Sequence, residues 1–376
     1  MKEQCIPYQL AVPLWVGRIC PQSAAFRKSV HPSRRGADTR ALPSPTTSGC
    51  THERAGRESG LGVSVPPWFN LPMRVLIVGC GYVGLPLGAE LVRQGHEVLG
   101  VRRSAAGAAE LRGAGIQPLI ADVTRRERLA TLPGPFDWVV NTVASTRGGG
   151  PDDYRQVYLE GTRNLMEWLA AAPPKRFVYT SSTGVYGQDD GSSVKETSPT
   201  EPAAETARVL VETEQLLLAA ARERRFPAVI LRVAGIYGPD RGHLFKQYLR
   251  NEAVIPGKGE RFLNMIHRDD LVGVLLAALQ AGRPGEIYNA VDDEPVAQLP
   301  FFRWLSETLG RDLPPFGPEE ADAGRQRGLT NKKVSNRKLK MELGYRFQYP
   351  TFRQGYTAEI RRLDAAGGLD LDPEPR

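Results

Sequence analysis

The stretch Arg74-Val75-Leu76-Ile77-Val78-Gly79-Cys80-Gly81-Tyr82-Val83-Gly84 constrains this chain more than any other. Strand-like sequence runs directly into Gly-x-Gly-x-x-Gly. A helix-like segment follows over 85–94, and a second strand candidate, 97–101, begins after Gly95-His96. The glycines carry meaning only in that order of strand, turn, helix and strand. Gly79 permits a tight turn. Gly81 has no Cβ to keep a pyrophosphate off the backbone, and Gly84 lets the helix pack close to the strand. The N–H groups and positive dipole end of the helix then meet the phosphates. Gly79, Cys80, Gly81, Tyr82, Val83 and Gly84 therefore read as a dinucleotide-binding turn, with a plain strand–helix turn as the alternative.

The second strand ends in Arg102-Arg103-Ser104. An NAD-preferring turn would carry an acid here for the ribose 2′-hydroxyl. Two guanidinium groups suit a 2′-phosphate instead, so the reading is NADP, with NAD as the alternative and solvated surface arginines as the bland one. A third strand over 116–121 closes on Asp122-Val123, where the carboxylate either reaches an adenine amino group or caps the helix starting near Arg125. A fourth, 138–144, ends at small Ala144 and Ser145, which leave room for the middle of a cofactor.

Further on, the same alternation continues. A loop containing Gly148-Gly149-Gly150 precedes a helix over 154–172. A strand over 177–182 runs into Thr183-Gly184-Val185-Tyr186-Gly187. A polar loop, a helix over 205–225 and a strand over 228–233 follow. Alternating strands and helices argue for an α/β, Rossmann-type doubly wound parallel sheet. Past Asp240 the pattern is irregular, with helices near 244–251 and 270–281, short strand-like pieces and a Pro/Gly-rich stretch around 310–328. The expected organisation is a dinucleotide-binding domain over 73–240, a smaller substrate lobe over 241–360 and a flexible tail over 361–376.

The 376-residue chain carries a formal net charge of +7. Residues 1–72 hold nine basic and four acidic side chains, so the remainder, with forty and thirty-eight, is nearly balanced. That excludes a nucleic-acid footprint. The leading segment is rich in Pro, Ser, Arg and Gly, without periodicity, and reads as a disordered or spurious extension ahead of Met73. Its apolar run near 10–16 is broken by Pro13 and too short to span a bilayer; no stretch elsewhere reaches that length, so no membrane partner is expected. Cys5, Cys20 and Cys50 lie there, and Cys80 lies in the glycine turn. No Cys/His cluster has metal spacing, and a disulfide framework is not expected. A reducing, cytoplasmic setting follows.

With these residues in view, the chain resembles the extended short-chain dehydrogenase/reductases, the NAD(P)-dependent epimerase/dehydratase group. The resemblance is carried by the glycine turn, Ser181-Ser182-Thr183-Gly184-Val185-Tyr186-Gly187, Leu231-Arg232-Val233 with Tyr237-Gly238-Pro239, and Ile266-His267-Arg268-Asp269-Asp270. The tail Val334-Ser335-Asn336-Arg337 to Leu343-Gly344-Tyr345 resembles the group's carboxyl-terminal lobe. The resemblance implies a hydroxyl residue at Ser182 that hydrogen-bonds the substrate oxygen. It also implies a Tyr base and a Lys four residues apart on the next helix, pairing of two copies through the helices over 154–172 and 205–225, and a nucleotide sugar as substrate. A phenol with an ordinary pKa of about 10 needs a neighbouring cation to work as a base near neutrality.

The helix departs from that pattern. Alignment by Arg208 and Glu214 puts Thr206 at the Tyr position and Leu210 at the Lys position. Val78 replaces the first glycine of the group's turn, and Tyr158 stands where Asn is common. These departures resemble an atypical subgroup. Lys195, Glu196, Glu205 and Tyr237 are alternative bases, each more simply read as solvated or structural. Tyr186 and His267 read as structural, with Asp269-Asp270 supplying a helix cap. Two functions follow: an oxidoreductase or epimerase/dehydratase acting on a hydroxylated small molecule such as a nucleotide sugar, or a dinucleotide-binding protein without turnover.

Overall fold

Val75, Leu76, Ile77 and Val78 are each fully buried, because both faces of the strand they form are covered. The computed structural model describes residues 71–145, 149–318 and 330–368. Residues 1–70 of the expected extension, Gly148, the part of the Pro/Gly-rich stretch over 319–328 and the tail from 369 lie outside the described residues.

Seven parallel strands form the central sheet: β1 (Arg74–Val78), β2 (Glu97–Arg102), β3 (Gln117–Ile120), β4 (Trp138–Asn141), β5 (Arg176–Ser182), β6 (Ala228–Val233) and β7 (Ile287–Ala290). Their spatial order is β3-β2-β1-β4-β5-β6-β7. β1 pairs with β2 on one side (Val78 opposite Val101) and with β4 on the other (Val78 opposite Asn141). The winding direction thus reverses beside β1, and ligands of such sheets bind outside the carboxyl ends of the strands at that point. The Rossmann-type α/β class expected from the sequence is the one observed.

Strand geometry sends alternate side chains to opposite layers. Leu76 and Val78 pack with Tyr158, Leu165, Val209 and Leu217. Val75 and Ile77 pack with Leu87, Leu91, Leu271 and Leu275. Strands buried on both faces read as continuous apolar runs, and each fully buried Val, Leu or Ile contributes about 1.5–3 kcal/mol. The helix expected over 154–172 runs through Pro151–Tyr154, Arg155–Glu160 and Gly161–Leu169. Its middle segment makes wider i→i+5 turns.

The expected division at residue 240 does not map onto one crossing of the chain. Ile287–Ala290, inside the expected lobe, adds to the central sheet beside β6, with Tyr288 opposite Leu231. The helix Arg268–Ala281 and the helix Arg337–Leu343 pack on the same sheet. The apolar faces of these helices have no other layer to cover, so the chain returns to the sheet after leaving it. A third apolar cluster, including Tyr237, Phe245, Phe301, Phe302, Phe352 and Tyr356, holds the covering segments together. Among the described residues, no helix is long and apolar enough to cross a membrane.

Candidate functional site

The backbone at Gly79 turns back with φ +84°. A Cβ there would lie 2.7 Å from the Val143 backbone nitrogen, so only glycine fits the close approach of β4. The N–H groups of Gly79 and Cys80 both donate to the Val101 carbonyl. The Thr142 hydroxyl holds the carbonyls of Val78 and Gly79 at 3.2 and 3.0 Å. Gly81 differs: a Cβ there would meet nothing nearer than 3.9 Å. Its surface is open to the cleft, while the helix Gly84–Arg93 behind it starts with no side-chain cap and no acid in its first turn. A phosphate can therefore approach the backbone at Gly81 and meet the positive dipole end of the helix. These residues fit a dinucleotide.

The cleft above this turn encloses about 910 Å³, within the usual range for small-molecule sites. Gly79, Gly81, Tyr82 and Val83 line it. Cys80 and Gly84 do not: Cys80 is fully buried behind the turn, and burial pushes its thiol up to about 12. Tyr82 is locked in place. Its hydroxyl donates to the Pro239 carbonyl at 2.9 Å, and the guanidinium groups of Arg241 and Arg268 stand over its ring at 5.0 and 5.5 Å. The glycine turn is thereby tied to the Tyr237-Gly238-Pro239 turn.

Arg102 and Arg103 both line the cleft, in different ways. Arg102 Nε donates to the Cys80 carbonyl at 2.5 Å, and its Nη2 pairs with Glu110 at 2.9 Å. It braces the turn. Arg103 is exposed to the cleft mouth. Asp122 and Val123 line the cleft as well. The Asp122 carboxylate accepts from the N–H and hydroxyl of Thr124 at 2.9 and 2.8 Å. The helix Arg126–Leu129 has no side-chain cap, so Asp122 closes a turn and does not cap that helix. Ala144 is exposed to the cleft. Ser145 is turned away: its hydroxyl meets Asp153, and its N–H donates to the Tyr158 hydroxyl at 3.2 Å. Tyr158, at the position noted as atypical, lines the cleft from the wide-turned helical segment.

At the end of β5, Ser182 lines the cleft and its hydroxyl accepts from the Gly184 N–H at 3.1 Å. Leu210 lines the cleft; Thr206 is buried and does not. Of the alternative bases, Lys195 and Glu205 are exposed away from the cleft, and Glu196 accepts from the Asn289 N–H at 2.9 Å. Tyr237 does line it, stacked on Tyr356 with ring centroids 4.4 Å apart. Burial drives its phenol far above its ordinary pKa. Below Ser182 a buried network fixes the strand ends. Glu214 accepts from Ser181 at 2.6 Å and from Arg232, and Arg232 Nη1 donates to the Tyr186 hydroxyl at 2.9 Å. The Tyr186 hydroxyl donates onward to Asn289. Tyr186 is thus structural. So is His267, but with a correction: the cap of the helix Arg268–Ala281 is the His267 Nδ1, which accepts from the Asp269 N–H at 3.2 Å. Asp270 is fully buried and takes N–H groups from Gln348 and Tyr349.

Three cationic residues from beyond β6 also line the cleft: Arg241, Arg261 and Lys332. Sequence reasoning missed them because isolated basic residues read as surface. One signal was present at Lys332: it shares a strand face with buried Val334, two residues on. Among the described residues, the only carboxylate lining the cleft is Asp122, and no group of His, Cys, Asp and Glu could hold a metal ion.

Comparison with known proteins agrees with this geometry. Residues 75–290 match the model of the NAD dependent epimerase/dehydratase family. The protein YeeZ of Escherichia coli K12 is 31% identical over 290 residues, covering 74% of this chain and 96% of YeeZ. A solved structure from Methylobacillus flagellatus, named as a provisional NAD-dependent epimerase/dehydratase, is 33% identical, with a TM-score of 0.63 over 78% of this chain and 99% of that one. A dTDP-glucose 4,6-dehydratase from Streptomyces venezuelae, solved with NAD and TYD bound, shares the fold at 22% identity, with a TM-score of 0.68 over 80% of this chain and 100% of that one.

Proposed function

The chain belongs to the NAD dependent epimerase/dehydratase family, and from that premise we propose that it is a nicotinamide-dinucleotide enzyme acting on a hydroxylated small molecule. The observation that carries this reading is the open backbone at Gly81 beside an uncapped helix start, at the point where the sheet reverses. The pyrophosphate rests on Gly79–Gly84 and the adenosine end reaches Asp122 and Val123. Bound there, the group supplies hydride transfer; the protein binds, orients and handles the proton. Ser182 holds the substrate oxygen where β5 meets the cleft.

The form of the cofactor is NADP. Arg103 meets the 2′-phosphate at the cleft mouth, and Arg102 supports the turn from behind. The substrate is an anionic, hydroxylated molecule of the nucleotide-sugar kind, because the cleft's lining is cationic beyond β6. The usual Tyr/Lys pair is replaced by Thr206 and Leu210, so the proton passes through another group. Two copies pair through the helices Gly161–Leu169 and Glu205–Arg224, the latter bridged by Glu212 to Arg155 just before the former.

Tryptophan fluorescence titrated with NADP⁺ and NAD⁺, followed by absorbance of the reduced nicotinamide against UDP-glucose and dTDP-glucose, tests the reading. Tighter binding of NADP⁺ is expected. If neither nucleotide binds at millimolar levels, the proposal fails. Binding without turnover of any hydroxylated substrate favours the binding-only alternative.

A further inference from the structure

Lys332 is a lysine inside the protein, 4% exposed, on a short strand, Lys332–Val334, that pairs with Ser192–Val194. Its Nζ donates to the Tyr186 carbonyl at 3.0 Å and to the Thr330 hydroxyl at 2.6 Å. An ammonium has three N–H groups, so two anchor it and one is left. The residue lines the same cleft as Ser182 and Leu210, and Tyr186 lies only four residues past Ser182. Among the described residues no carboxylate forms an ion pair with it, and charged groups on the adjoining segments are engaged elsewhere. Glu196 takes the Asn289 N–H, Arg232 is committed to Glu214 and Tyr186, and Lys333 stands over the Phe262 ring at 4.9 Å. Arg261 lines the cleft beside this strand and adds positive charge.

We propose that Lys332 is the catalytic proton donor and acceptor for the substrate oxygen, in place of a tyrosine. This rests on the nicotinamide reading above. In the reductive direction a hydride joins the carbonyl carbon, and the Lys332 ammonium gives its third proton to the oxygen, leaving a neutral amine. In the oxidative direction the amine takes the hydroxyl proton as the hydride leaves to an oxidised nicotinamide. Charge and electrons balance in both.

Three phenols that line the cleft are moved the wrong way for this task. Burial pushes the Tyr82 phenol up to about 12 and the Tyr237 and Tyr356 phenols higher still. Burial alone lowers Lys332, from an ordinary 10.5 to about 8. A general acid–base works best with a pKa near the working pH, and of these groups Lys332 is the one shifted toward neutrality. His243 lines the cleft as an exposed residue at its rim.

The test is an NMR pH titration of the full chain labelled at lysine ¹³Cε. The Lys332 resonance is assigned by its loss in Lys332→Arg, or in Lys332→Met should the first fail to fold. A midpoint near 8 is expected, against about 10.4 for exposed lysines. With saturating NADP⁺ that midpoint should lie below its value with NADPH, by about half a pH unit or more, because only the oxidised ring carries a positive charge. Equal midpoints with both nucleotides, or a midpoint near 10.4, overturn the role of Lys332 while leaving the cofactor reading intact. Failure of either nucleotide to shift any resonance overturns the cofactor reading, and this proposal with it.

Discussion

The guanidinium of Arg232 on β6 meets the carboxylate of Glu214 on the helix Glu205–Arg224 at 2.7 Å, with both side chains 4% exposed or less. The pair also holds Ser181, next to Ser182, and Tyr186, whose carbonyl anchors Lys332. A buried charge left without its partner is costly, about 3–5 kcal/mol. Glu214→Gln and Arg232→Met should each lower stability by that order in urea unfolding. The double change Glu214→Gln with Arg232→Met should cost clearly less than the sum of the singles. Additive losses would show that the two side chains do not act as a pair.

Gly79 and Gly81 should separate stability from binding. Gly79→Ala places a Cβ 2.7 Å from the Val143 backbone nitrogen at a φ of +84°, and strain of this kind costs of order 1–3 kcal/mol. Its melting temperature should fall. Gly81→Val has open space for its side chain, so it should fold with nearly unchanged stability and lose nucleotide affinity, because the branched side chain stands where phosphate must approach. Retained nucleotide affinity in the folded Gly81→Val protein would place the pyrophosphate elsewhere.

The two arginines should also part. Arg103→Ala removes the contact proposed for the 2′-phosphate, and a charge-assisted hydrogen bond is worth roughly 1.5–3 kcal/mol. NADP⁺ affinity should fall about tenfold or more, with NAD⁺ affinity little changed. Arg102→Ala removes the brace on the Cys80 carbonyl, so both nucleotides should weaken together. Calorimetric titration of each variant with each nucleotide gives the comparison. A selective NADP⁺ loss in Arg102→Ala and not in Arg103→Ala would reverse the assignment.

Strands β1, β2, β4, β5 and β6 were legible in the sequence because each carries an apolar run that the fold buries, and the glycine turn was legible because its chemistry is local. β7 was not. Its Ile-Tyr-Asn-Ala sequence includes Asn289, which is buried but satisfied by Tyr186, Glu196 and Ser335, partners distant in sequence. The cationic side of the cleft was hidden for the same reason. Lys332 reads as solvated until its strand is seen to pair with Ser192–Val194. Among the proposed site residues, Thr206 and Ser145 lie off the cleft while Leu210 and Ser182 line it. Thr206 and Leu210 share one face of their helix a turn apart, and only the later turn reaches the opening; Ser145 is off the cleft because its hydroxyl is taken by Asp153.

Asp292 makes the stability depend on pH with an unusual sign. It is 1% exposed. Its Oδ1 accepts from the Glu294 N–H at 3.2 Å, and its Oδ2 has no hydrogen-bond partner. Burial holds its carboxyl well above the ordinary range, with nearby Glu294, Asp293 and Asp270 pushing the same way. In the unfolded chain it titrates near 3.9. Above that pH the unfolded state has released a proton that the folded state still holds, so stability falls as pH rises from about 3.9 toward the raised folded value. Below about 3.9 the contribution is fully present. Asp292→Asn keeps the acceptor for Glu294 and carries no proton to release. Its stability relative to the wild type should therefore rise steadily from pH 4 to pH 7 in urea unfolding. Asp270 is shifted in the same direction by burial and is present in both proteins, so the part of its titration that Asp292 does not influence cancels in the difference curve. A difference that stays flat across that window would mean that Asp292 is ionised in the folded chain.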